Sequence, residues 1–520
     1  MRTVAQKVIT PLVFAVIACD VASAQFGREA VWMTAGSNAQ RSSWVRADAS
    51  IARDKIAGEF QFLWKVQLDK PGFGSPAEPI LMERYIGYRG FRSLAFMGTM
   101  AGGVYAVDTD LNRIEWQQHV APGNQQQSSA NCAASLGTSL TLPTTGEFPS
   151  GLAGGGFGRG GAAKSGVGEP YQGAVTLAPA EATVPRLPVR PAGAQRPSFT
   201  RSPIVLDTVT SDGLFHELYV SNGEESTTPV RFVPPTSLVR GFIVVNQTAY
   251  AVAGESCGSR DQVFALDLAT KEVSQWAAEG ATIAGADGAA IGPDGTVYVA
   301  TGKGGSTYGS SVVALDGKTL KPKDWYTVTE SEFTSTPVVM QYKNRTFIAA
   351  ASRDGHLHIL DSKSLGGESH KTALVKTADS PGQKDFAPGA LAVWQDAQLT
   401  HWLLAASSAN DGSIVAWKLV DDEHGAPVLE RGWASGKIKS PAAPLVINGV
   451  AFTTSNSHSE TGRRSSPSVL YALDGATGRE LWNSKESMSS SAVKLSAGAG
   501  RVYVTTADGS LYAFGFPMEH

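Results

Sequence analysis

The chain has 520 residues, of which 42% are hydrophobic and 18% charged, with a net charge of −3. That near balance, without any basic run, excludes nucleic acid as an expected partner. Beyond the first residues no stretch reaches the ~20 apolar residues of a membrane helix, which excludes a transmembrane span in the body of the chain.

Residues 1–24 read as an export signal. Arg2 and Lys7 make a positive start, Val8 to Ala18 a short apolar run, and Ala22-Ser23-Ala24 a small-residue cleavage site. Val16-Ile17-Ala18-Cys19 also fits a loose lipoprotein box, in which Cys19 would carry a lipid anchor. Either route places the protein in the periplasm or outside the cell. Residues 25–120 then hold a lone strand and a first repeat unit, 121–200 an insertion, and 201–520 the remaining units.

The lone strand is "FQFLWKVQL" at 60–68, carrying Trp64 with no unit before it. "VYAVDTDLNRIEW" follows at 104–116, with Asp108 and Trp116. Half of 151–168 is glycine and proline punctuates 170–197, so the 121–200 insertion is expected to be a flexible loop that cannot bury a core. Residues 201–235 give two strands and turn signals without the repeated phrase.

The phrase returns as "VFALDLATKEVSQW" with Asp267 and Trp276, "VVALDGKTLKPKDW" with Asp316 and Trp325, and "LHILD" with Asp361. "IVAWK" at 414–418 follows, then "LYALDGATGRELW" with Asp474, Gly478 and Trp482, and finally "LYAFG" at 511–515. Each copy follows a Gly/Asp turn and another strand-like run, the pattern of hairpin-joined strands. In Tyr471-Ala472-Leu473 both alternating faces are apolar, so both must be covered by neighbouring sheets. The Asp is expected to cap the turn, Gly478 to take positive φ and the Trp to open the fourth strand. The last copy ends without its tryptophan strand and the chain begins with an orphan one. The spacing therefore predicts an all-β fold, an eight-bladed β-propeller closed by strand 60–68 beside 511–515.

The full pattern at Ala472 to Trp482, Ala-x-Asp-x-x-Thr-Gly-x-Glu-x-Trp, resembles the tryptophan-docking repeat of the pyrroloquinoline-quinone (PQQ) type β-propellers. That superfamily includes quinoprotein alcohol dehydrogenases and an outer-membrane assembly lipoprotein. The resemblance covers roughly residues 60–120 and 200–516, and implies tryptophans stacked between blades over the repeat's alanine. It also raises PQQ with calcium as a cofactor. A PQQ enzyme needs oxygen ligands for calcium, an Asp base, an aromatic floor and basic groups for three carboxylates. No such position can be matched, and the dehydrogenases' adjacent cysteines are absent.

Three other groups carry possible chemistry. Cys132 and Cys257 are expected to form a disulfide, as two thiols in an oxidising compartment. His356 and His358 lie on one face of a strand, but His358 occupies the slot of Tyr105, Tyr471 and Tyr512 and is read as packed. Glu224-Glu225 follow a turn and are read as a solvated loop. The residues unshared among copies are mainly glycine, serine and the insertion. These features point to a non-enzymatic scaffold with protein or envelope partners and no predicted cofactor or metal. The alternative is a PQQ-dependent periplasmic dehydrogenase for an alcohol or sugar.

Overall fold

The computed structural model describes residues 32–46, 48, 50–68, 77–87, 90–99, 102–120, 139–148, 204–210, 212–235, 237–254, 261–305, 307–378, 388–407, 412–455 and 467–517. The export signal, Cys19, Cys132, Cys257 and the glycine-rich stretch lie outside these residues.

Eight sheets form an eight-bladed β-propeller, each blade a four-stranded antiparallel unit, with Trp44–Val45 added to the seventh as a parallel fifth strand. The inner strands, in blade order, are Ile80–Gly87, Ser139–Thr141, Leu238–Val245, Ala290–Ile291, Val338–Tyr342, Leu391–Gln395, Leu445–Ile447 and Ala492–Gly498. The ring closes as the orphan tryptophan strand requires. Gln61–Gln67 is the outermost strand of the eighth blade, antiparallel to Ser510–Gly515, with Trp64 opposite Ala513. Closure by the N-terminal strand leaves no bare edge at the seam.

One boundary differs from expectation. The stretch 121–200, expected to be a loop, contributes Ser139–Thr141 as the inner strand of the second blade. Three residues are too short for a period-two pattern to stand out in sequence.

The repeated residues have repeated places. Third strands such as Gly103–Asp108 and Ser311–Leu315 are buried along their whole length, since blades cover both faces. Each aspartate accepts backbone N–H groups two residues on, and in most copies three: Asp108, Asp267, Asp316, Asp361 and Asp474 all do so at 2.8–3.1 Å. Trp116, Trp482 and Trp64 lie opposite Ala106, Ala472 and Ala513. Trp276 and Trp325 sit opposite Val263 and Val313 instead.

The indoles reach the next blade. Trp116 Nε1 donates to Val220 O at 2.9 Å, and Trp433 Nε1 to Gly475 O at 3.0 Å. Trp433 is the sixth blade's docking residue, unassigned from the sequence because "IVAWK" lacks the Asp. Gly478 has φ +72, and a Cβ there would lie 2.3 Å from the Trp433 ring, so glycine serves both the turn and the docking.

The second blade departs most. Glu217 replaces the repeat's alanine and faces Asp207 across the strands. Asp207 is 1% exposed, and neither carboxylate oxygen has a hydrogen-bond partner. Burial, then the neighbouring Glu217, pushes its pKa well above the usual carboxylate range.

Candidate functional site

The ring axis holds the residues that the repeat does not explain. Residues 32–46, ahead of the closing strand, run around the inside of the ring and meet seven inner strands in order. Trp32 O accepts from Leu81 N at 2.8 Å and Met33 O from Leu142 N at 2.9 Å, at blades one and two. Thr34 Oγ1 donates to Phe242 O at 2.8 Å in blade three. Ala39 O, Gln40 O, Ser42 O and Ser43 O accept from Ile291, Val339, Val393 and Val446, in blades four to seven, at 2.7–3.0 Å. Trp44–Val45 then pairs in parallel with Val446 and Ile447. Asp48 Oδ2 completes the circuit, accepting from Gly500 N of blade eight at 2.7 Å.

Small residues make this path possible, because side chains from eight blades already crowd the axis. Residues 36–45 are all buried, and the tight course needs positive φ at Gly36, Ser37, Arg41 and Ser43. Arg41 pins the segment. Its guanidinium donates to Ala289 O, Thr34 Oγ1, Ala35 O and Gly241 O at 2.6–2.9 Å. Burial lowers its pKa to about 10, against the opposing pull of Asp287 and Glu78.

The segment divides the axis into two chambers. The upper one opens toward the turns that lead into the inner strands and has a volume of about 380 Å³. Its polar centre is Glu78, Asp287 and Lys494. Glu78 Oε1 accepts from Trp32 Nε1 at 2.5 Å and from Gly36 N at 3.1 Å. Lys494 Nζ lies 3.4 Å from Asp287 Oδ1 and 3.8 Å from Glu78 Oε2. Burial raises the Glu78 pKa to about 7, an effect Lys494 opposes and Asp287 reinforces. The Asp287 charge, followed by Glu78, holds Lys494 above its ordinary value.

The lower chamber, about 1100 Å³, lies between the axial segment and blades five and six. Asn38, Gln40, Ser42, Trp44 and Arg46, alternate residues of the segment, line it.

His356, His358, Glu224 and Glu225 lie in the wall. His358 is fully buried, with Nδ1 3.1 Å from Tyr326 Oη and Nε2 2.8 Å from Ser352 Oγ, and burial lowers its pKa to about 3. His356 Nδ1 faces Thr377 O at 2.8 Å. Glu225 is no free loop residue: its Oε1 lies 2.8 Å from His216 Nδ1, whose Nε2 lies 3.1 Å from Thr210 Oγ1. This acid–histidine–hydroxyl chain resembles a nucleophile triad. However, Thr210 is 1% exposed and donates to Asp212 at 2.5 Å. Ser352, Asp354 and His358 repeat the arrangement in blade five, and Thr506, Asp508 and Tyr512 fill the same places in blade eight. The motif Ser/Thr-x-Asp-Gly-x-x-His/Tyr is therefore a turn clasp.

The axial groups do not suit a calcium–quinone site. Calcium asks for six to eight oxygen ligands, whereas the two upper carboxylates already share the Lys494 ammonium. Among the described residues no group of three His, Cys, Asp or Glu side chains is placed to hold a metal ion. Of the axial cations, Lys494 is engaged with carboxylates and Arg41 with Thr34 Oγ1 and backbone carbonyls.

No protein-family model matches the sequence, and neither does any curated protein. Solved structures do. The quinohemoprotein alcohol dehydrogenase of Comamonas testosteroni superposes with a TM-score of 0.57 at 14% identity, covering 95% of this chain and 83% of that one. A europium-containing methanol dehydrogenase gives 0.55 at 12% identity, covering 94% and 98%. The computationally designed Ika8 protein gives 0.50 at 13%, covering 88% and 100%. The chain thus has the eight-bladed quinoprotein-like fold.

Proposed function

We propose that this protein is an exported β-propeller acting as a non-enzymatic binding or assembly scaffold in the cell envelope. One observation carries the reading. The axis, where a propeller enzyme would gather its chemistry, is crossed by the chain's own buried residues 36–45, and the carboxylates of its upper chamber pair with Lys494. A cross-strand pair of exposed apolar residues on the first blade, Ile86 and Phe91 (73% exposed), offers the kind of surface partners cover. Residues 1–24 support export as a signal sequence, and no helix among the described residues is long and apolar enough to cross a membrane.

The alternative, a PQQ-dependent periplasmic dehydrogenase, draws on the fold shared with two such enzymes. Titration with PQQ and calcium separates the readings. The scaffold should give no saturable absorbance change, no thermal shift and no dye-linked alcohol oxidation. Micromolar binding with turnover would establish the dehydrogenase.

A further inference from the structure

The ring has two faces, and its exposed apolar side chains lie on one of them. The turns that join first to second and third to fourth strands share one end of the ring, and the other connections share the opposite end. Eight large apolar side chains are exposed among the described residues, and all eight stand at the end carrying the first kind of turn. Four of them, Ile86, Phe91, Leu111 and Ile114, belong to blade one, and the rest are single residues of blades three, five, six and eight.

Blade one also projects at that end. In blades three and seven the repeat's aspartate stands opposite the first residue of the second strand, Asp267 opposite Thr248 and Asp474 opposite Val450. In blade one Asp108 stands opposite Leu94, so Gly90–Ser93 of the second strand run on past it, by roughly 13 Å for four residues. The two sides of this projection differ. Tyr85 and Arg92, an opposed pair, are covered: Tyr85 packs on the core shared with blade two, and Arg92 is buried 2.5 Å from Glu115 and 3.9 Å from Asp108. Ile86 and Phe91, the next pair out, alternate onto the other side and are bare. Phe91 shares that side with Ala95, Ala95 stands opposite Val107, and Val107 opposite Ile114, so three exposed apolar side chains lie along one surface. Ser93 O accepts from Thr109 N at 2.9 Å, which ties the turn carrying Leu111 to the base of the projection.

The charges here are sorted by sign. Asp108 caps its turn, Asp110 accepts from Arg501 at 3.1 Å and from Ser93 N at 3.0 Å, and Glu83 accepts from Ala499 N. The outward groups are arginines. Arg84, at the bulge between Met82 and Tyr85, is exposed and has no hydrogen-bond or ion-pair partner among the described residues. Arg113 is half-exposed and lies 3.7 Å from Glu115, which Arg92 already holds.

At about 200 Å² for a fully exposed large side chain, the four of blade one present roughly 400 Å², half of the ~800 Å² that each side of a standard protein interface buries. A projecting apolar tip of that size, with cations beside it and acids tied back, suits shallow entry into the interfacial layer of a bilayer. The single exposed residues of other blades on the same face suit contact with an extended plane. We propose that this face docks on an anionic phospholipid bilayer through blade one, with Phe91, Ile86 and Leu111 entering the interfacial layer and Arg84 and Arg113 meeting lipid phosphates. The proposal names the partner of the exposed pair in the scaffold reading, and rests on that reading for its envelope setting.

The test sediments the full-length protein with vesicles of equimolar phosphatidylcholine and phosphatidylglycerol, and with vesicles of phosphatidylcholine alone. The mixed vesicles should bind it saturably and release it as salt rises, and phosphatidylcholine alone should bind at least about tenfold more weakly. Arg84→Gln should weaken binding about fivefold, the worth of one arginine at an anionic surface. Phe91→Ser should weaken it at least about fivefold while melting as wild type does, because that side chain is mostly exposed. In Phe91→Trp, bromine-labelled acyl chains should quench tryptophan emission beyond the wild-type level, since the introduced indole enters the acyl boundary. No saturable binding to the mixed vesicles, equal binding by Phe91→Ser, or self-association that Phe91→Ser abolishes would overturn the proposal, the last in favour of a second copy of the chain. None of these outcomes touches the scaffold reading, which falls to PQQ-dependent turnover whatever the vesicles show.

Discussion

The wall of the propeller and its axis are built on opposite principles. In the wall a few devices recur from blade to blade: an aspartate cap, an alanine beside a docking tryptophan, and a hydroxyl–aspartate clasp under a histidine or tyrosine. On the axis nothing recurs. Trp32, Arg41, Arg46, Glu78, Asp287 and Lys494 each appear once, and Arg41, Glu78, Asp287 and Lys494 meet residues hundreds of positions away, as Lys494 meets Asp287. Redundancy makes the wall tolerant. Single, buried, charged contacts make the axis specific, and a ligand or partner has only the axis or an exposed loop to read.

The largest effect should come from removing what joins the two regions. Residues 25–70 contain both the axial segment and the closing strand, so their deletion strips the channel and bares Ser510–Gly515. The truncated protein should aggregate through that edge. A monomer with unchanged melting, seen by light scattering and calorimetry, would show that the wall closes without the axis.

Next come single substitutions, one from each region. Trp433 is 9% exposed and docked on the next blade, so Trp433→Ala should cost about 3–5 kcal/mol in urea unfolding. Trp482 is only half-buried, so Trp482→Ala should cost less than a fully buried indole would. Arg41→Met should cost about 3–5 kcal/mol, leaving Glu78 and Asp287 with Lys494 as their one cation. If Arg41→Met proved neutral, the axial segment would be a passenger and the comparison would collapse.

The two regions should also respond to pH with opposite sign. Glu78 has a folded pKa of about 7 against an ordinary 4.5. Between these values the folded state holds a proton that the unfolded chain has released, so its contribution falls as pH rises from 4.5 to 7. His358 has a folded pKa of about 3 against 6.5. Between those values the unfolded chain binds the proton that the folded ring refuses, so its contribution falls as pH drops from 6.5 to 3. Relative to wild type, Glu78→Gln should therefore gain on raising the pH from 5 to 7.5, and His358→Gln should gain on lowering it from 7 to 4. Parallel curves for either variant would remove that group from the pH balance.

Legibility in the sequence follows the same division. The blade count, the closing strand, and the aspartate and tryptophan positions could be read because a device written many times stands above noise. Ser139–Thr141 could not, being three residues long. Trp433 was hidden because Lys418 stands where other blades have the aspartate. The axial segment "WMTAGSNAQRSSWVR" has no periodicity and no copy of the repeated phrase, so nothing in the sequence marks it. The expectation that unshared residues are mainly glycine, serine and the insertion overlooked charged residues that meet only in three dimensions. The orphan strand did hold one clue: some 35 residues ahead of it, past the expected cleavage site, had to lie somewhere, and a ring offers its hole.

The smallest expected effect tests how evenly the wall shares its load. Asp316 Oδ1 accepts from Lys318 N at 3.1 Å, from Thr319 N at 2.9 Å and from Thr319 Oγ1 at 2.9 Å. These bonds, the Thr319 N–H first among them, hold its pKa below the ordinary 3.8. Its contribution is therefore present above pH 3.8 and lost as pH falls through the lower folded value. Asn keeps the accepting oxygen and Ala does not. Asp316→Ala should cost about 1 kcal/mol, as for one lost capping acceptor, and Asp316→Asn only a few tenths. The same pair of substitutions at Asp267, whose Oδ1 accepts from Ala269 N and Thr270 N at 2.8 and 2.9 Å, should fall in the same order, Ala costing more than Asn. Asp474 should stand apart. Besides capping its turn it pairs with Arg53, on the segment joining axis to wall, so Asp474→Asn should cost more than Asp316→Asn. Equal costs at all three positions would mean that the Arg53 pair adds nothing to the cap.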